Sequence, residues 1–183
     1  MEIADAQREM RLRFLGGFYG QLVSGILWLV SAALATWATP RAAILALVVG
    51  GFFIYPMTEL LIRGFGPRRR LSDGNTLPQL GMQVAFVLPL SMPLLLPVGL
   101  YRLTLFYPAM MLLVGAHYVP FVFLYGMRLF AILAVLLLGG GVLIAQVFSA
   151  GLAVGAWYTG AVLLVFAGIG RMLAIRETRR TAA

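Results

Sequence analysis

Six long apolar runs, separated by short clusters of arginine, proline, glycine and aspartate, divide this chain almost from end to end. Each run is close to the length of about 20 residues that an α-helix needs to cross a bilayer. The first extends from Phe14 to Ala38 and the second from Ala42 to Ile62, with Thr39, Pro40 and Arg41 as a tight turn between them. A polar stretch follows, "RGFGPRRRLSDGNT", in which Asp73-Gly74-Asn75 signals a turn and Thr76 can cap the next helix. The third run covers Leu77 to Val98, and "GLYRLTLF" leads to a fourth from Tyr107 to Gly126. Arg128 marks the turn into a fifth run ending near Phe148. Ser149 to Gly151 turn into a sixth that ends at Arg171. The pattern predicts an all-α fold, a polytopic membrane bundle of six transmembrane helices. It divides into an N-terminal segment (1–13), the transmembrane domain (14–171) and a basic tail (172–183).

Composition agrees with the pattern and removes whole classes of chemistry. Hydrophobic residues make up 62% of the chain and charged ones 11%, with a mean hydropathy of +0.97. A soluble domain cannot bury that much apolar surface and still keep a charged exterior. The chain has no cysteine, so disulfides, thiol catalysis and cysteine-ligated metals are excluded. It has no lysine either, which excludes Schiff-base chemistry. Of the fourteen arginines, only Arg41 and Arg102 fall on the side of the membrane opposite the termini. That asymmetry predicts both termini in the cytoplasm, in a bacterial inner membrane. It also accounts for the net charge of +8 without nucleic acid. Arg68, Arg69 and Arg70 form a basic cluster suited to lipid head groups. Ala33-Leu34-Ala35 imitates a signal-peptide cleavage site, but the balanced charge before the first run and its length argue against cleavage.

Polar side chains inside apolar runs need an explanation, because hydrocarbon offers them no partner. Gln21 and Ser24 lie in the first run, Glu59 in the second, Gln79 and Gln83 in the third, and His117 with Tyr118 in the fourth. At about 1.5 Å per residue, Glu59 lies about 5 Å from the cytoplasmic end, Gln21 and Gln83 about 10 Å, and Ser24 and His117 about 15 Å. This ladder predicts a site in the cytoplasmic half, with His117 bonded to Ser24 or Gln83. The competing expectation is structural: Glu59 pairs with Arg63 at i,i+4, and the amides and the histidine join helices.

The third run reads "FVLPLSMPLLLP", with Pro89, Pro93 and Pro97 four residues apart. Each proline lacks the N–H that would serve an earlier carbonyl, so the span should be broken there and its proline face turned inward. Pro56 and Pro120 mark further kinks, three residues from Glu59 and from His117. Small residues at Gly16, Gly20 and Ser24, and at Gly151, Gly155 and Thr159, form faces that pack helices closely. They join spans within one chain or join two chains into a homo-oligomer.

The charged start before "RFLGGFYG", the span ending "YPMTELL" and above all "GAHYVPFVFLYG" give the chain its likeness. On these it resembles an uncharacterised family of small bacterial membrane proteins with six predicted helices. The resemblance implies no activity, and makes Glu59 and His117 candidates for a shared site. One histidine and one intramembrane glutamate fit neither paired-carboxylate nor metal-cluster catalysis, so no cofactor, metal or catalytic residue is expected. The polar ladder and the broken span predict a small transporter or permease with a cytoplasm-facing polar cavity for a solute or proton. The alternatives are a non-catalytic membrane protein that binds lipid or a partner, and an intramembrane enzyme acting on lipid.

Overall fold

The computed structural model describes residues 1–146 and 151–180, so the expected end of the fifth run at Phe148 and the turn at Ser149 lie outside the described residues. The described residues hold eight α-helices: α1 Ile3–Phe14, α2 Phe18–Trp37, α3 Pro40–Phe65, α4 Leu77–Ser91, α5 Leu95–Tyr101, α6 Phe106–Tyr125, α7 Leu129–Gln146 and α8 Val154–Arg180. Six stretches are long and apolar enough to cross a membrane, with α4 and α5 together forming the third. The fold is a polytopic membrane helix bundle.

Local chemistry explains the boundaries. The first transmembrane helix begins at Phe18 rather than Phe14, because Leu15, Gly16 and Gly17 all take positive φ (48°, 63° and 82°) and redirect the chain. Thr39 accepts a hydrogen bond from the Ala42 N–H at 3.2 Å, and Pro40 follows as the first helical residue, a standard way to open α3. Thr76 makes no such bond. Asn75 supplies the cap of α4 instead, its Oδ1 accepting from the Leu77 N–H at 3.1 Å. Gly126, at φ 60°, ends α6 in the left-handed conformation. Helix α8 continues past Arg171 to Arg180.

In the third span α4 gives way to a 3₁₀ turn, Met92–Leu94, before α5 resumes. The break is where the prolines put it, but their face does not turn inward as expected: Pro93 and Pro97 are exposed and Pro89 is half-buried. The 3₁₀ turn is the physical reason. It lets the Met92 N–H reach the Pro89 carbonyl and the Leu95 N–H reach that of Pro93, so part of what the prolines leave open is closed locally. Met92 and Leu95 face the core instead. Pro56 and Pro120 stay inside the continuous helices α3 and α6.

The helices form a ring. Helix α2 packs between α3 and α8, α8 meets α7, α7 packs along α6, and α6 meets α4. The ring is nearly open between α3 and the third span, which touch lightly; the position of a Cβ on Gly51 lies 2.9 Å from Met92 Cε. Two clusters fill the centre. At the end away from the chain termini, Ser31 Oγ pairs with the Tyr107 hydroxyl at 2.6 Å and donates to the Ala43 carbonyl at 2.8 Å, tying α2, α6 and α3 beside Trp28. At the terminal end, Tyr118, Phe121 and Tyr125 pack around Phe130.

The small-residue faces are used within this one chain. Gly16 lies against Gly170, where an added Cβ would meet the Gly170 carbonyl oxygen at 2.6 Å. Gly20 faces Thr58 of α3, Gly155 faces Tyr107 and Met111, and Ser24 and Thr159 are buried. Gly151 sits in the turn before α8. Apart from Gly151, these small residues thus pack against helices of the same chain.

Candidate functional site

The end of the bundle that carries the termini is closed by α1. Its Ala6 and Met10, one turn apart, are buried against the bundle, while its polar groups bind backbone carbonyls at the end of α6. The last carbonyls of an α-helix lack their usual partners, and at this helix end that of Phe123 meets the Gly126 N–H at 3.3 Å. Gln7 Nε2 donates to the Phe123 carbonyl at 2.5 Å, and Arg11 Nη1 to that of Tyr125 at 2.7 Å. Arginine there also suits the negative end of the helix dipole. The same guanidinium grips Glu177 of α8 with two parallel bonds, Nε to Oε2 and Nη2 to Oε1, both 2.8 Å. Such bidentate pairs are among the stronger polar contacts.

A second set of bonds holds the segment 66–76 between α3 and α4. Arg13 donates to the Pro67 carbonyl at 3.1 Å. Glu9 accepts from the Ser72 N–H at 3.1 Å, from the Ser72 hydroxyl, and from Asn75 Nδ2 at 2.9 Å. Asn75 Nδ2 also donates to the Ala6 carbonyl at 3.1 Å. Hydrogen bonds from Ser72 and Asn75 hold the Glu9 carboxyl below its ordinary value, and those from Arg11 do the same for Glu177. A depressed carboxyl stabilises the folded state above its ordinary pKa, about 4.5, and that contribution disappears as the pH falls through the lowered value. Helix α1 should therefore exchange its amide hydrogens slowly near neutral pH and lose that protection below about pH 4.5. Hydrogen exchange read from pH 7 to pH 3 checks this; protection of α1 that persists to pH 3 would contradict it.

The sequence-expected site residues do not converge. His117 lies on the flank of α6 that meets α4, edge-on to Tyr118 at 5.6 Å and beside Phe121 at 5.1 Å, with the Val84 backbone as its polar neighbour. Its Nδ1 has no partner, and no hydrogen bond joins it to Ser24 or Gln83. The reason is rotational. Each helical residue turns about 100° from the last, so when Tyr118 faces the centre, His117 is carried toward α4. Ser24 lies on another helix, α2, which meets α3 and α8 rather than α4. Gln83 and Gln79 are exposed, on the face of α4 opposite α6.

Glu59 is half-buried and makes no ion pair with Arg63; among the described residues the carboxylate in ion pairs is Glu177. Gln21 also reaches the interior, 2% exposed, with neither end of its amide partnered. It joins Tyr118 indirectly. Phe130 stacks on Tyr118 at 6.1 Å, and the Cβ position of residue 17 lies 3.1 Å from Phe130 Cζ and 3.9 Å from Gln21 Nε2. Arg68, Arg69 and Arg70 are all exposed.

What the sequence reading missed is α1 as a structural piece. Its signal was present, as apolar Ile3, Ala6, Met10 and Phe14 recur at helical spacing within a charged segment. Ser31 and Tyr107 carried no signal, since each is a common residue in an apolar run. A cavity of about 390 Å³ opens between α7 and α8, lined by Leu136, Gly140, Leu143, Ile144, Val154 and Tyr158. It is apolar and lies away from the terminal-end polar residues. Among the described residues, no three His, Asp or Glu side chains group as metal ligands would.

No curated protein and no solved structure matches the chain. A family model does match, over residues 3–172, and it spans α1 and all six membrane crossings up to the last turns of α8. The chain belongs to DUF7010, a family of unknown function.

Proposed function

We propose that this protein is a non-catalytic, lipid-binding protein of the bacterial inner membrane, with both termini in the cytoplasm. Phospholipid lies along the outward side of α3 and α4 in the cytoplasmic leaflet. The outward placement of Gln79 and Gln83 carries this reading. Counting about 1.5 Å per residue from the start of α4, the two carboxamides sit about 3 Å and 9 Å deep. Hydrocarbon leaves an amide unpaired at a cost of several kcal/mol, whereas the phosphate and glycerol-ester region of a phospholipid offers acceptors at that depth. The nearly open junction between α3 and the third span provides adjoining apolar surface, and Met82 and Phe86 of α4 are exposed as well. A permease would need the polar residues of this half to share one water-filled space. They are distributed over separate interfaces, and α1 covers the end through which a cytoplasmic solute would enter.

Two measurements test the reading. The chain lacks cysteine, so single cysteines report cleanly. Cysteine at position 69 or 179 should react with an impermeant maleimide only from the cytoplasmic side, and cysteine at position 102 only from outside; labelling of 69 and 102 from one side removes the orientation. A phosphatidylcholine carrying a diazirine at its glycerol end should crosslink to peptides of α3 and α4 several-fold more than to those of α7. Uniform labelling of the lipid-facing helices would count against the lipid site.

A further inference from the structure

We infer that the segment joining α3 to α4 is an anionic head-group site, in which Arg68, Arg69 and Arg70 hold the phosphate of an acidic phospholipid of the cytoplasmic leaflet. The inference rests on the lipid-binding reading above and adds the chemistry of the head group.

Three observations carry it. The first is position. Residues 66–76 connect Phe65 of α3 to Leu77 of α4, so their arginines stand at the foot of the junction between those helices. The second is that the segment is held at both ends. Arg13 binds the Pro67 carbonyl just before the three arginines, and Glu9 binds Ser72 and Asn75 just after them. A held backbone loses less conformational freedom on binding than a free loop does.

The third observation is charge. Arg68, Arg69 and Arg70 are exposed, and none is in an ion pair. The nearest acid of α1, Glu9, bonds Ser72 and Asn75 and makes no ion pair with the three arginines. Arg63, two residues before the end of α3, is exposed and outside any ion pair as well, so four cations face two acids at the segment, Asp73 and the Glu9 carboxylate of α1. A guanidinium matches a phosphate with two parallel donors, and anionic lipid is the abundant phosphate at this depth. Gln79, exposed one turn above, reaches the neighbouring ester oxygens. Sidedness alone explains why arginines lie on this face, but it does not explain why one cluster is pinned by α1 and left without ion-pair partners.

The test uses the full chain in nanodiscs with the same diazirine phosphatidylcholine. Added phosphatidylglycerol should displace it from α3 and α4 about tenfold more effectively than added phosphatidylcholine, since each basic residue near the surface favours anionic lipid. The triple variant Arg68→Gln, Arg69→Gln, Arg70→Gln should lose that preference. A second triple variant, Arg176→Gln, Arg179→Gln, Arg180→Gln, removes the same charge from the tail and should keep it. Crosslinking at α3 and α4 with no preference for phosphatidylglycerol, or equal loss in both variants, overturns the head-group site and leaves the lipid-binding reading standing. Absence of crosslinking with either lipid overturns the lipid-binding reading itself. Retention of the preference in the loop variant, with lipid still bound, places the anion elsewhere and overturns the inference.

Discussion

Replacing Phe130 by alanine should destabilise the bundle by about 3 kcal/mol, the lower end of the range for removing a large buried aromatic side chain. Phe130 is 1% exposed. Its ring centroid lies 5.1 Å from that of Tyr125, 5.6 Å from that of Phe121 and 6.1 Å from that of Tyr118, so one side chain from α7 holds three from α6. The low end applies because lipid tails are themselves apolar. Transfer out of water contributes little between membrane helices, and the loss is mainly of packing and of cavity volume. Gln21 and Gly17 line the same space, so the cavity also removes support from the start of α2. Unfolding in mixed micelles by a denaturing detergent measures the effect. A Phe130→Leu control should recover most of it, and an alanine variant as stable as the parent would show that the cluster does not hold α6 to α7.

Gly16→Ala should be comparably severe, again about 3 kcal/mol, from two separate sources. At φ 63° an L-residue is strained by its own Cβ. That Cβ would also sit 2.6 Å from the Gly170 carbonyl oxygen, a backbone atom that moves only if α8 moves. Gly168 on the same helix α8 is the control: nothing lies within 4 Å of a Cβ there, and alanine is the better helix former, so Gly168→Ala should be neutral or slightly stabilising. Equal melting temperatures for Gly16→Ala and Gly168→Ala would mean that the turn before α2 does not meet α8 at Gly16 and Gly170. Loss of folding confined to Gly16→Ala supports the close crossing.

Much of this fold is legible from the apolar runs, because a bilayer imposes length and internal hydrogen bonding on whatever crosses it. The six crossings, the break in the third at its prolines, and the turn at Asp73-Gly74-Asn75 all follow from local chemistry. The candidate site was harder to read. The depth of a polar residue along its helix follows from counting, and that count placed His117 near Ser24. The direction it faces depends on which helices are neighbours, and no counting within one helix supplies that. His117 therefore went to α4, Gln21 to the aromatic cluster, and Gln79 and Gln83 to the outside.

The sequence by itself determined the class of fold, the spans and the chemistry that is missing, because hydropathy, helix period and the absence of Cys and Lys act residue by residue. Tertiary structure alone decided three things: that the glycine faces close on partners in the same chain, that the charged N-terminal helix seals one end of the bundle, and that the proline face of the third span turns outward. Each depends on contacts between residues far apart in the chain, such as Gly16 with Gly170 and Arg11 with Glu177. Those contacts are chosen by the fit of whole helix surfaces, whose energy is shared over many side chains, so no single stretch of sequence announces them.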